Sequence, residues 1–233
     1  MSPEDLAALH PRLFHVTTPG AWPRIARNGL LPPARLLDLY AADDATRAAV
    51  LGRRGAEVVL RHPEKGEAVV MDNLPLDEAK LARVLDDGLA PADWLGLLNE
   101  RTFFWTTEDD AERLRGARAY RGRERLVLVA DTLSLARAHA DRIEIAPFNT
   151  GQTLYVPTRR GRSTFTPLGR HSFGDWSRLR GLSRPDRIKE VTVPGGVPDI
   201  AANVAELWEV GPWGRRVTPP PRARHAPRPG GPE

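Results

Sequence analysis

The 233-residue chain contains no cysteine, which excludes a disulfide framework, a thiolate nucleophile and a zinc site built on sulfur, and suits a reducing cytoplasm. No window approaches eighteen uninterrupted apolar residues, and the opening MSPEDLAALHPRLF lacks a basic stretch followed by an apolar one. The expected protein is therefore cytoplasmic, neither exported nor membrane-spanning, with no membrane among its partners. Equally missing are a GxGxxG after a strand, a P-loop, HExxH, GxSxG and an EF-hand loop. The six histidines (His10, His15, His62, His139, His171, His225) stand apart without HxH or HxxxH spacing, so no metal is expected.

What is present is ordinary for a globular protein: 41% hydrophobic and 27% charged residues, with 22 prolines and 20 glycines that imply many loops. The net charge of +4 sits entirely in the last segment, since five arginines and one acid follow Gly211 and residues 1–210 sum to zero. PPPRARHAPRPGGPE cannot bury enough apolar surface to fold. The expected organisation is one domain over 1–210 and a disordered Arg/Pro-rich tail over 211–233, whose arginines would supply at most salt-sensitive attraction to phosphates. Within the domain, Arg159 to Lys189 is basic and Asp72 to Glu112 mostly acidic.

Periodicity and punctuation predict the elements. LFHVT (13–17) reads as a strand, followed by a helix in PGAWPRIARNGL that stops at Gly29. Residues 42–54 read as helical and EVVLR (57–61) as a strand. Residues 76–85 and the helix opened by Pro91 form a helical insert. TFFWT (102–106) is an aromatic strand, and Thr107 with Asp110 makes an acid-type capping box for the next helix. LVLVA (126–130) is an apolar strand, with Thr132 as cap of the helix behind it. Residues 149–173 read as loop, 188–193 (IKEVTV) as a strand on which Glu190 shares a face with Ile188, and ELWEV as the last strand.

Three places carry candidate chemistry. His15 and Thr17 alternate along the first strand and project to one face; a strand histidine of this kind also serves purely structurally. Phe103, Phe104 and Trp105 must divide between two faces, so one or two form a platform that could stack a flat ring, unless the strand is buried on both sides. Glu190 is a carboxylate within an apolar strand, where burial raises its pKa, unless the strand is an edge with its polar face in water. The arginines of 149–162 and 178–187 are either phosphate contacts or solvated loop charge.

In this order the three places resemble the ADP-ribosyltransferase fold. LFHVTTPGAWPRIARNGLLP is similar to the opening segment of its PARP-like and DarT-like branches and of the tRNA 2'-phosphotransferases. RTFFWTTEDDAERL resembles their second segment, and IKEVTVPGGVPDI the third, a strand that runs on into Val-Pro in DarT-like toxins. Over residues 13–205 the chain is also similar to a family of bacterial proteins of unassigned function that share WLGLLNERTFFW-like, FNTG-like, GRSTF-like and VPDI-like segments. The transferase resemblance implies an α+β fold of split mixed or antiparallel sheets with flanking helices and NAD+ as co-substrate without a metal. It further implies that His15, beside Thr17, bonds the adenosine ribose, that Phe103 or Trp105 stacks on nicotinamide, and that Glu190 is catalytic. A Phe where such enzymes carry Tyr keeps the stacking and loses a hydroxyl. The implied function is transfer of ADP-ribose to a macromolecular acceptor, nucleic acid or protein. The rivals are tRNA 2'-phosphotransferase-like chemistry and a non-catalytic nucleotide- or partner-binding module on the same fold.

Overall fold

The apolar alternation that marks the strands in sequence builds a mixed α+β architecture around one antiparallel sheet. The structure, a computed structural model, describes residues 1–116, 122–155, 157–179, 188–211 and 214–220. In chain order the elements are α1 (Pro3–Leu9), β1 (Arg12–Thr17), α2 (Trp22–Asn28), α3 (Pro33–Leu39), α4 (Asp44–Leu51), β2 (Val58–His62) and β3 (Gly66–Val70). Then come α5 (Glu78–Ala82), α6 (Pro91–Asn99), β4 (Arg101–Trp105), α7 (Glu108–Gly116), β5 (Arg125–Asp131), α8 (Thr132–Ala138), β6 (Glu144–Ala146) and β7 (Thr166–Pro167). The chain continues through α9 (Phe173–Leu179), β8 (Glu190–Pro194), α10 (Ile200–Asn203), β9 (Val204–Gly211) and β10 (Gly214–Thr218).

The main sheet runs β10-β9-β5-β1-β4-β8-β6-β7, and β2-β3 forms a separate hairpin. Every strand pair among the described residues is antiparallel. The two halves of the sheet meet at β1 and β4, which pair at one register position only, Phe14 opposite Trp105, whereas β1 pairs with β5 along all six of its residues. The strands therefore diverge at the middle of the sheet, which remains one eight-stranded antiparallel sheet.

One face carries the main core. Leu13, Phe104, Leu128, Val191 and Val193 pack there with Leu6, Ile25, Leu135, Trp176 and Ile200 from the helices. On the other face, the β5–β9 half packs Val127, Val129 and Trp208 against Ala111 of α7. The β6–β8 half is covered by the helical insert, with Trp94 stacked on Phe165 at 5.5 Å. A third cluster joins α3 and α4 to the β2-β3 hairpin through Leu37, Tyr40, Val50 and Leu60. No helix among the described residues is long and apolar enough to cross a membrane.

Several local expectations shift by a residue or a role. The Thr107 and Asp110 capping pair forms, with Thr107 Oγ1 donating to Asp110 Oδ2 at 2.7 Å and Asp110 N donating back at 3.3 Å. The cap of α8 is Asp131, which accepts from Ser134 N at 2.8 Å; Thr132 is the first helical residue. A carboxylate one position earlier outcompetes the hydroxyl because it also meets the positive end of the helix. Ile188 packs with Val191 and Val193 in the main core while regular pairing starts only at Glu190, so these two do not share a strand face. Residues 214–218, assigned to the tail by composition, form edge strand β10; Arg215 lies 4.1 Å over the Trp208 ring and pairs with Glu108, and Arg216 pairs with Glu209 at 2.9 Å. Those cross-strand charges supply what apolar burial does not. The tail from 221 onward lies outside the described residues.

Candidate functional site

The divergence of β1 from β4 opens a cavity of about 290 Å³ whose wall includes His15 and Thr17 from β1 and Phe103 and Trp105 from β4. The remaining walls come from Arg24 and Ile25 in the middle of α2, the Leu30–Pro33 turn, the end of β3 and the turn at Asn149 and Gly151. The aromatic strand divides as alternation requires: Phe104 is fully buried in the main core, and Phe103 and Trp105 are half-buried on the opposite side.

His15 is both structural and available. Its Nδ1 lies 2.9 Å from the carbonyl oxygen of Phe103, bridging β1 to β4 just where the ladder is thin. A carbonyl only accepts, so Nδ1 carries the proton. Burial, reinforced by the nearby Arg24 charge, holds the imidazole below its ordinary pKa, although the Phe103 bond works the other way. The ring is thus neutral near pH 7, and Nε2 is left as a hydrogen-bond acceptor.

Glu190 is 3% exposed. It is not on an edge, because β8 is paired on both sides: Trp105 of β4 is its partner on one side and Ala146 of β6 on the other. Thr150 N and Thr150 Oγ1 donate to Oε2 at 3.1 and 2.7 Å. Oε1 accepts no hydrogen bond among the described residues. Burial pushes the carboxyl up to about 7; the two Thr150 bonds, Arg160 and Lys189 each oppose the rise. The structure thus brings His15, Thr17, Phe103 and Trp105 to the lining of one cavity and leaves Glu190 outside that lining, its carboxylate held by Thr150 in the Asn149–Gly151 turn.

That turn is clamped from behind. Arg160 is buried, donates from Nη1 to the Thr150 carbonyl at 2.9 Å and lies 5.0 Å over the Phe148 ring. Burial lowers its pKa to about 10, with Glu190 partly offsetting the effect. Trp94 Nε1 reaches the same Thr150 oxygen at 3.3 Å. The basic loop of 149–162 is therefore partly internal: Arg160 packs inward and Arg159 pairs with Asp86. Of the second basic segment, Arg178 pairs with Asp175, and 180–187 lie outside the described residues. Replacing Thr150 with Val should raise the Glu190 pKa beyond about 7 and cost roughly 1–3 kcal/mol. A melting series against pH checks this, and a Thr150→Val profile superimposable on the wild type would refute the orienting role.

Three arginines that sequence reasoning passed over also line the cavity. Arg101 makes a two-pronged contact with Glu144 at 2.8 and 3.2 Å. Arg54 donates to the Met71 carbonyl and to Asn99 Oδ1, each at 2.9 Å. Arg24 is half-buried and, among the described residues, forms no hydrogen bond or ion pair. Against these stands one carboxylate in the wall, Asp72. No local motif announces any of the three, because what distinguishes them is who stands opposite in the fold. Among the described residues, no three His, Asp or Glu side chains gather in a way that could hold a metal ion.

The fold and site thus define an α+β domain with an arginine-lined cavity where two strands of an antiparallel sheet diverge. The chain belongs to a family of unknown function (DUF7002), whose model matches residues 11–204. That span agrees with the resemblance over 13–205 to a family without assigned activity. A search of curated proteins finds no match to the chain.

Proposed function

We propose that the chain is an NAD+-dependent ADP-ribosyltransferase acting on a macromolecular acceptor such as a nucleic acid. The observation that supports this reading most is the convergence of His15, Thr17, Phe103 and Trp105 on one cavity, with Glu190 paired directly to Trp105 across the sheet. The aromatic pair offers a stacking surface for a flat ring. Neutral His15 offers an acceptor for a ribose hydroxyl. At about 290 Å³ the cavity lies at the low end of ligand pockets, roughly 300–1,000 Å³, so it suits one mononucleotide half of NAD+.

In the transfer, the bond between ribose C1' and nicotinamide breaks and its electron pair leaves with nicotinamide. The acceptor nucleophile bonds to C1' and gives up its proton. Positive charge builds on the ribose in between, and a fixed carboxylate stabilises it. Oε1 of Glu190, which accepts no hydrogen bond among the described residues, is the atom suited to that role once the Asn149–Gly151 turn admits the ribose. Only the ionised form serves, so kcat/KM is expected to rise with pH through about 7.

The containment of Glu190 behind Thr150 favours a second reading, a non-catalytic module that binds a nucleotide through the same cavity. Calorimetric titration with NAD+ tests what both share: heat and a melting shift at millimolar NAD+ or below are expected. Silence in both would sink the two readings together.

A further inference from the structure

Arg24 lies on α2, a helix that starts at Trp22 and is held at its far end by Gly29 and the reciprocal Leu30–Val197 hydrogen bonds of 2.9 Å. The guanidinium is about half-buried in the cavity wall beside His15, and the charge that acts on it is the phenol of Tyr40, the residue after α3, rather than a carboxylate. Desolvation pushes its pKa down, and the Tyr40 hydroxyl, itself shifted upward by burial, restores little. An arginine in this position weakens the ligand-free protein, since its charge is removed from water without a counter-ion. Arg101, in the same wall, shows how the fold treats a structural guanidinium, by placing Glu144 against it.

We propose that Arg24 is the anion anchor of the cavity and that the ligand places a phosphate group against it. A planar five-donor guanidinium matches phosphate geometry. An aromatic surface and a neutral imidazole acceptor in the same cavity add the base and the hydroxyl of a nucleoside, so the ligand class is a nucleoside phosphate. Within the transferase reading, on which this identification of the ligand as NAD+ rests, the anchored group is the diphosphate.

The test compares ADP with adenosine, and NAD+ with both, by calorimetry in phosphate-free buffer of low ionic strength on wild type, Arg24→Gln and Arg24→Lys. Arg24→Gln is expected to weaken ADP and NAD+ about ten- to a hundredfold and to leave adenosine unchanged. Arg24→Lys should keep part of the ADP preference, because the charge stays and the fork is lost. The unliganded Arg24→Gln protein should melt no lower than wild type, an outcome that a merely structural arginine would not give. Arg24-dependent ADP binding without any NAD+ binding would uphold the anchor and remove the transferase reading. ADP binding that is equal in wild type and Arg24→Gln, or a wild type that does not prefer ADP to adenosine, would overturn the proposal.

Discussion

Replacing Glu190 with Gln is expected to stabilise the protein at pH 8 by about 3 kcal/mol and to flatten the acid side of its stability profile. The carboxyl sits near 7 in the fold against an ordinary value of 4.5, because burial outweighs the Thr150 bonds. A folded-state pKa above the unfolded one means that the native state binds more protons between these values. The stabilisation is then fully present below about pH 4.5 and lost as pH rises through about 7. The distance between about 7 in the fold and 4.5 in the unfolded chain corresponds to about 3 kcal/mol. For a domain of this size that is a melting shift of roughly 6–12 °C. Gln keeps an oxygen for Thr150 and carries no charge at any pH. Melting curves of both proteins from pH 4 to 9 check the expectation. If wild type and Glu190→Gln run parallel across that range, Glu190 is not the buried, strained carboxylate described above. A carboxylate retained at such a cost in stability fits a functional role, since an amide would serve the fold better.

Gly196→Ala should destabilise the protein by roughly 3–4 kcal/mol and should abolish nucleotide binding. Gly196 has φ +89°, and a Cβ there would lie 2.6 Å from the Leu30 carbonyl oxygen and 2.8 Å from Pro32 Cδ. The left-handed backbone costs roughly 1–2 kcal/mol for a residue with a side chain. Relieving the clash also forces apart the two Leu30–Val197 hydrogen bonds, each worth about 1 kcal/mol. Those bonds hold the Leu30–Pro33 wall and the end of α2, so the cavity loses its shape with the clip. Gly20, at φ +72° with open space around it, is the control: Gly20→Ala meets the backbone penalty alone. Equal melting losses for Gly20→Ala and Gly196→Ala would show that close approach is irrelevant.

What sequence made legible was local. The strands 13–17, 102–106 and 126–130 announce themselves by alternation or by an apolar run, and the Thr107–Asp110 cap by its spacing. Glu190 stood out because a carboxylate among Val and Ile contradicts its surroundings, and its burial between two paired strands accounts for that contradiction. Strand β10 was hidden because its stability comes from Arg215 on Trp208, from Arg216 paired with Glu209 across the strands and from Glu108 of α7, none of which composition reveals. Helices α3 and α9 are stabilised by packing of Leu36, Leu37 and Trp176 rather than by a long apolar period. The unpartnered state of Arg24 and the grip of Thr150 on Glu190 are tertiary relations between residues up to forty positions apart. No reading of one segment contains them.

We propose that this cavity presents NAD+ to Glu190. The most direct test is mass-spectrometric detection of nicotinamide released from NAD+ by wild type and Glu190→Gln, with NAD+ binding measured on the same samples. Wild type is expected to release nicotinamide, and Glu190→Gln to lose at least about a hundredfold of that release while binding NAD+ within a few-fold of wild type. Release undiminished in Glu190→Gln, or NAD+ bound by wild type with no release in the presence of nucleic-acid and protein acceptors, would contradict it.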